Sequence, residues 1–347
     1  MERDYEEAAA YLLTVLKQKK RGNPVIGVIC GSGLSGLAKC IDPSSSVTVN
    51  YENIPGFPQA TVAGHMGEMV FGTIGGMEVA CLRGRFHFYE GNSMSTVGLP
   101  VRVMRLLGVK LLVVTNAAGG LNPSYNVGDI AIIQDHFGLP LIAGNHPLRG
   151  SNDDALGPRF PAVSDAYDEV LQALIMKCAA KLDLTKFLRP DATYCFVSGP
   201  AYESRAECRF LRNSIGGDTV GMSTIPEIIT AKHAGMKILC LSLVTNKVVF
   251  EKQKDTVHAS HKEVLDAVET SGKRVEALVT ALITKENLGD YLEQQPSFKW
   301  QPKRSLSTTI RRAANKLHQT VQQSTLLQIG LLAAAAGAGW LLAQRKR

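Results

Sequence analysis

From residue 4 to residue 20 the apolar positions recur at helical spacing. Tyr5, Ala8, Ala9, Leu12, Leu13 and Leu16 form one stripe, and a basic run before Gly22-Asn23-Pro24 closes the segment. The spacing predicts one opening helix. The period then changes: residues 25–30, VIGVIC, are a continuous apolar run of strand length that empties into Gly31-Ser32-Gly33. Further strand-length runs are EMVFGTI (68–74), EVACLRG (78–84), LLVVTNA (111–117), DIAIIQD (129–135) and KILCLSLVT (237–245). Between them lie helix-length periodic segments near 95–107, 165–182, 204–213, 225–234 and 260–285. Strands alternating with helices predict an α/β fold around one largely buried sheet.

The pattern changes again after Trp300, where Pro302 and a basic Ser/Thr stretch precede an apolar end. Residues 296–324 read as a basic linker with an amphipathic helix, in which Leu306, Ile310, Ala314, Leu317 and Val321 make a stripe beside Arg311, Arg312 and Lys316. Residues 325–343, TLLQIGLLAAAAGAGWLLA, carry no charge and are followed by Arg345-Lys346-Arg347. A helix of that length, at ~1.5 Å per residue, just spans a ~30 Å hydrocarbon layer, so the expectation is a C-terminal transmembrane anchor at an intracellular membrane.

Charge adds a restriction. The chain of 347 residues has a formal charge of +7, but eight bases and no acid fall after residue 300, leaving 30 bases against 31 acids before it. The body is therefore not built to bind nucleic acid by charge. Seven scattered cysteines without a C-x-x-C pair predict buried free thiols in a reducing compartment and no structural zinc. The opening MERDYEEAAAYLL has acids where a secretory leader has bases, so a cytoplasmic location is expected.

Candidate chemistry gathers where strand-like runs end. Gly31-Ser32-Gly33-Leu34-Ser35-Gly36 fits G-x-G-x-x-G after a strand, with Glu52 about 20 residues on, which is the pattern of a NAD-binding oxidoreductase. Only a short segment follows before Asp42-Pro43, too short for a crossover helix. What remains is a turn offering N–H groups and a hydroxyl to an oxyanion. In Gly84-Arg85-Phe86-His87-Phe88-Tyr89-Glu90-Gly91, extended backbone is expected to turn Arg85, His87 and Tyr89 one way and the two Phe toward the core. Arginine suits bidentate oxyanion binding and histidine adds a donor. Thr115-Asn116-Ala117-Ala118-Gly119-Gly120, Gly199-Pro200-Ala201-Tyr202-Glu203, Val220-Gly221-Met222-Ser223-Thr224 and Leu243-Val244-Thr245-Asn246-Lys247 supply small or polar residues at further segment ends.

The ordered set GSGL, GHMG, GRFHFYEG, TNAAGGLN, RFPAVSDAYD, GPAYE, VGMSTIPE, LVTNK and HKEVL resembles the trimeric purine nucleoside phosphorylases over roughly residues 1–290. The resemblance implies a single domain at 1–295 with a central mixed, twisted sheet flanked by helices, plus the helical tail. It implies phosphorolysis of inosine and guanosine in purine salvage, a homotrimer, small-molecule substrates, and no metal or organic cofactor, with phosphate as co-substrate. Ser32, His65, Arg85, His87, the Ala117 backbone and Ser223 look like the phosphate site. Tyr89, Met222 and His261 look like ribose contacts, and Glu203 and Asn246 look like the purine readers. Tyr202 stands where the family usually has a stacking Phe, and Phe160 looks like an aromatic lent across a trimer interface. His87, Asn246, Glu203 and His261 would carry the catalysis. The sister methylthioadenosine phosphorylases are the nearest alternative. They typically place acids after the corresponding threonine, here followed by Asn246-Lys247, and lack a histidine at the position of His261.

Overall fold

The computed structural model describes residues 4–59, 66–252, 260–298 and 300. The chain opens with α1 (Asp4–Gln18), whose stripe buries Ala8, Ala9, Leu12 and Leu16 and half-buries Tyr5 and Leu13, and enters β1 (Ile26–Cys30), buried at every position. After it come β2 (Val47–Asn50), β3 (Glu68–Ile74) and β4 (Met77–Arg83). The last two form a hairpin whose loop is Gly75-Gly76, at φ +56° and +83°, the left-handed pair that a two-residue turn demands. The helical segment predicted at 95–107 is two pieces, α2 (Met94–Val97) and α3 (Leu99–Leu107). Pro100, which has no N–H, sits in the first turn of the second piece.

Strands β5 (Leu111–Gly120) and β6 (Ile130–Gly138) follow, then α4 (Leu139–Ile142), α5 (Glu169–Lys181), β7 (Leu188–Phe196) and α6 (Arg205–Arg209), which runs into a π turn at Phe210–Ser214. The chain continues through β8 (Thr219–Gly221), α7 (Ile225–His233), β9 (Lys237–Lys247), α8 (His261–Ile283) and α9 (Glu286–Glu293). The nine strands make one mixed sheet, β2-β3-β4-β1-β5-β8-β7-β6-β9, and β9 returns to pair in parallel with β5. Five strands, β5, β8, β7, β6 and β9, therefore close on themselves, while β2, β3, β4 and β1 fan outward from β5. The α/β single domain with a mixed sheet flanked by helices is thus the observed architecture. One apolar core gathers residues of α1, α3 and α7 on one side of the sheet, and a second gathers α5, α8 and α9 on the other.

Three strands escape the periodicity reading. Residues 47–50 and 219–221 are very short, and Leu188–Phe196 is interrupted by Pro190 and by Asp191 at φ +57°, where its register with β6 slips. Such a strand reads locally as a turn. The dinucleotide alternative for the first glycine loop does not fit this topology. After β1 comes only a 3-10 turn, Ser35–Cys40, and β1 pairs with β4 and β5 and not with β2, so no βαβ unit starts there. Phe298 and Trp300 pack on the core beyond the expected boundary at 295, with the Arg105 guanidinium 4.8 Å from the Phe298 ring centroid. Among the described residues no helix is long and apolar enough to cross a membrane. Of the expected linker (296–324) and anchor (325–343), all residues from 301 onward lie outside the described residues. The seven cysteines are free thiols, six of them buried.

At the end of β1 the chain presses on the backbone of β5. A Cβ on Gly31 would stand 2.6 Å from Asn116 Cα and 2.9 Å from the Thr115 carbonyl oxygen, backbone atoms that cannot swing aside. Gly31→Ala is therefore expected to destabilise the protein by ~1–3 kcal/mol, read as a lower urea midpoint at unchanged slope. An unchanged midpoint would show that β1 and β5 are not locked together there.

Candidate active site

Where the five-strand ring meets the fan, β5, β8 and β9 end together. β5 and β9 pair residue for residue until Ala118–Val244, after which Gly119 faces Asn246, so Thr245 is an extra residue in β9. A bulge of this kind re-aims the side chain that follows. Here that side chain is Asn246, 5 % exposed, whose Oδ1 accepts from the Thr245 hydroxyl at 3.2 Å. On the other side Gly119 pairs with Val220 of β8. Ala117, Ala118 and Gly119 thus present main chain and small side chains to a cleft that Val220, Gly221, Met222, Ser223, Thr245 and Asn246 also line.

Beneath this cleft lies a buried cation. β4 ends at Arg83, and Gly84, at φ +108°, breaks the strand, so the expected alternation across Arg85, His87 and Tyr89 does not arise from extended backbone. Tyr89 belongs instead to a 3-10 turn, Phe88–Glu90. Arg85 and Phe86 are both buried. The Arg85 Nη1 donates to the Ser223 hydroxyl at 2.8 Å and the Thr224 hydroxyl at 2.9 Å, and Nη2 donates to the Thr115 carbonyl at 2.5 Å. Glu227, equally buried, places Oε2 3.6 Å from Nη1. Asn116 Nδ2 donates to the same Thr224 hydroxyl at 3.0 Å. Thr224 reaches this junction only at φ +83°, ψ −54°, a conformation unfavourable for a β-branched residue and held by the buried network around it.

His87 is set by Glu90, whose Oε1 meets both the His87 backbone N–H and its Nδ1 at 2.9 Å. Tyr89 stacks on the imidazole with ring centroids 4.6 Å apart, and burial, reinforced by the Glu90 charge, pushes its phenol up to about 12. From the segment after β7, Tyr202 and Glu203 complete one wall, and His261 and Val264 reach the cleft from the first turn of α8. Burial raises the Glu203 carboxyl above its ordinary range, and burial followed by the Glu203 charge raises the Tyr202 phenol.

Ser32, His87, Tyr89, Ala117, Tyr202, Glu203, Met222, Ser223, Asn246 and His261 all line this one cleft, and Arg85 joins it through Ser223. Phe160 does not line it: its ring is 88 % exposed, with the Arg159 guanidinium 5.8 Å from its centroid. His65 lies outside the described residues. Thr115, Asn116, Thr224, Glu227, Glu90 and Thr245 also build the site, although none of them is a candidate site residue by sequence. Their signal was present as polar residues closing apolar runs, but without spatial neighbours it points nowhere. No group of His, Cys, Asp or Glu able to hold a metal occurs among the described residues.

Residues 25–284 match the phosphorylase superfamily. Bovine (Bos taurus) purine nucleoside phosphorylase is 45% identical over 280 residues, 81% of this chain and 94% of the relative. The chain belongs to the purine nucleoside phosphorylase family. Solved members superpose on it. The schistosoma enzyme in complex with hypoxanthine has a TM-score of 0.76 at 40% identity, covering 82% of this chain and 98% of that one. The Schistosoma mansoni enzyme in complex with inosine has 0.75 at 42%, covering 82% and 96%.

A raised carboxyl at Glu203 has a consequence for stability. The folded state holds this proton more tightly than the unfolded one, so the group's full contribution is present below its ordinary value of 4.5 and is lost as pH rises through the higher folded value. Glu203→Gln is expected to raise the thermal midpoint of the empty protein at neutral pH and to leave it unchanged near pH ~4. Equal midpoints at both would show that Glu203 is solvated in the free protein.

Proposed function

We propose that the chain catalyses the reversible phosphorolysis of inosine and guanosine, and of their 2′-deoxy forms. The products are hypoxanthine or guanine and ribose 1-phosphate or its deoxy form. One observation carries this reading: a single cleft brings hydroxyls tied to a buried guanidinium together with a carboxylate and an amide, Glu203 and Asn246. The first set suits an anionic oxygen nucleophile, and the second suits the edge of a 6-oxopurine.

Cleavage of the N-glycosidic bond leaves its electron pair on the purine and positive charge on the ribose. Phosphate, held by Ser32, His65, Arg85, His87, the Ala117 main chain and Ser223, sets its negative charge beside C1′ and then forms the C–O bond. Asn246, aimed by the Thr245 bulge, hydrogen-bonds the 6-oxo group and the five-membered ring nitrogen as charge develops there. Glu203 accepts from the ring N–H of hypoxanthine or guanine. Adenine lacks that N–H and would leave a half-buried carboxylate unpaired, a penalty of ~1–3 kcal/mol or more. Tyr202 stacks on the base, while Tyr89, Met222 and His261 contact the sugar. No metal or organic cofactor takes part in this scheme.

Phe160 supports a homotrimer in this reading, since a ring 88 % exposed gains most by entering a neighbouring subunit's cleft. Residues 325–343 would tether the assembly to the cytosolic face of an intracellular membrane. Sedimentation of full-length protein as a monomer would exclude the first, and equal solubility with and without residues 301–347 would exclude the second.

Full-length protein is expected to release base from inosine and guanosine only when phosphate is present, with adenosine and methylthioadenosine poor substrates. Phosphate-independent release, or preference for the adenine compounds, would overturn the proposal. Asn246→Asp should lose ~10²-fold in kcat/KM for inosine and shift preference toward adenosine, and an unchanged base preference would remove Asn246 from the assignment.

A further inference from the structure

Glu227 stands in an unusual relation to Arg85. Both side chains are 2 % exposed, yet Oε2 is 3.6 Å from Nη1, beyond hydrogen-bond length. Nη1 donates instead to the Ser223 and Thr224 hydroxyls, and Nη2 donates to the Thr115 carbonyl. Glu227 Oε2 accepts no hydrogen bond among the described residues. A carboxylate placed to orient a guanidinium grips it at ~2.8 Å, commonly with both oxygens. This one stands off, so the hydroxyls and the carbonyl orient Arg85 while Glu227 supplies charge. It sits in the first turn of α7, where the helix end favours an anion.

We propose that Glu227 is an internal counter-ion that occupies the electrostatic place of phosphate while the cleft is empty. An uncompensated buried guanidinium is strongly destabilising, and Glu227 removes that penalty from the free protein. The same charge opposes an incoming phosphate. Arg85 then faces two anions, and phosphate is held less tightly than the arginine alone would hold it, which favours release of the phosphorylated sugar. The inference rests on the reading of Arg85 as a phosphate-binding residue. Glu227 is buried and does not line the cleft, so its role is not that of a catalytic residue.

Glu227→Gln keeps the shape and removes the charge. In full-length protein without nucleoside, its Kd for inorganic phosphate by calorimetry is expected to fall ~tenfold. Its thermal midpoint without phosphate should drop, and saturating phosphate should restore more of it than the same phosphate adds to the wild type. A merely structural role would weaken stability and affinity together, whereas a counter-ion moves them in opposite directions. Glu227→Asp, which keeps the charge but draws it back by one methylene, should fall between the two and serves also if the Gln variant does not fold. Phosphate affinity that is unchanged or weaker in the folded variant overturns the inference. If the wild type itself binds no phosphate in the same titration, the underlying reading of Arg85 fails and the counter-ion role fails with it.

Discussion

A guanidinium removed from water governs the arrangement of this fold. Among the described residues Arg85 is one of the largest side chains almost wholly buried, and such a charge persists only where hydroxyl, carbonyl and carboxylate oxygens are delivered to it. Those oxygens come from three separate stretches: Thr115 in β5, Ser223 and Thr224 between β8 and α7, and Glu227 in α7. β8 must therefore end against β5, with α7 following it directly, for the cation to be satisfied. The backbone strain at Thr224 belongs to the same arrangement, because its hydroxyl serves Arg85 and Asn116 together only in that conformation.

Stability and chemistry oppose each other around the cleft. Glu203 is held partly out of water with its proton affinity raised, Thr224 is strained, and Gly31 is kept small so that β1 can press on β5. Each is unfavourable for an empty protein and favourable for a cleft in which backbone, charge and ligand meet closely. The two apolar cores on either side of the sheet are extensive enough to absorb these costs.

Much of the fold could be read from the chain. β3 coincides with its predicted run, and β1, β5 and β9 lie where continuous apolar stretches stand, because a strand buried on both faces leaves that mark. β7 left no such mark: Pro190 and the left-handed Asp191 imitate a turn, and its partner β6 accommodates them by slipping register. The break at Gly84 was equally hidden, since a period of two cannot announce where it stops. The members of the cleft were legible as residue types at strand ends and as an ordered family pattern, while their mutual geometry was not.

The sequence by itself determined the α/β class, the location of the strand ends, the near-neutral body and the family, because those depend on local periodicity and on residue order. Only the tertiary structure decided that five strands close on themselves, that the Thr245 bulge redirects Asn246, and that Glu227 stands off from Arg85 without a hydrogen bond. Those features arise between residues far apart in the chain, where contact is set by packing and by the need to satisfy buried charge, and neither leaves a periodic trace.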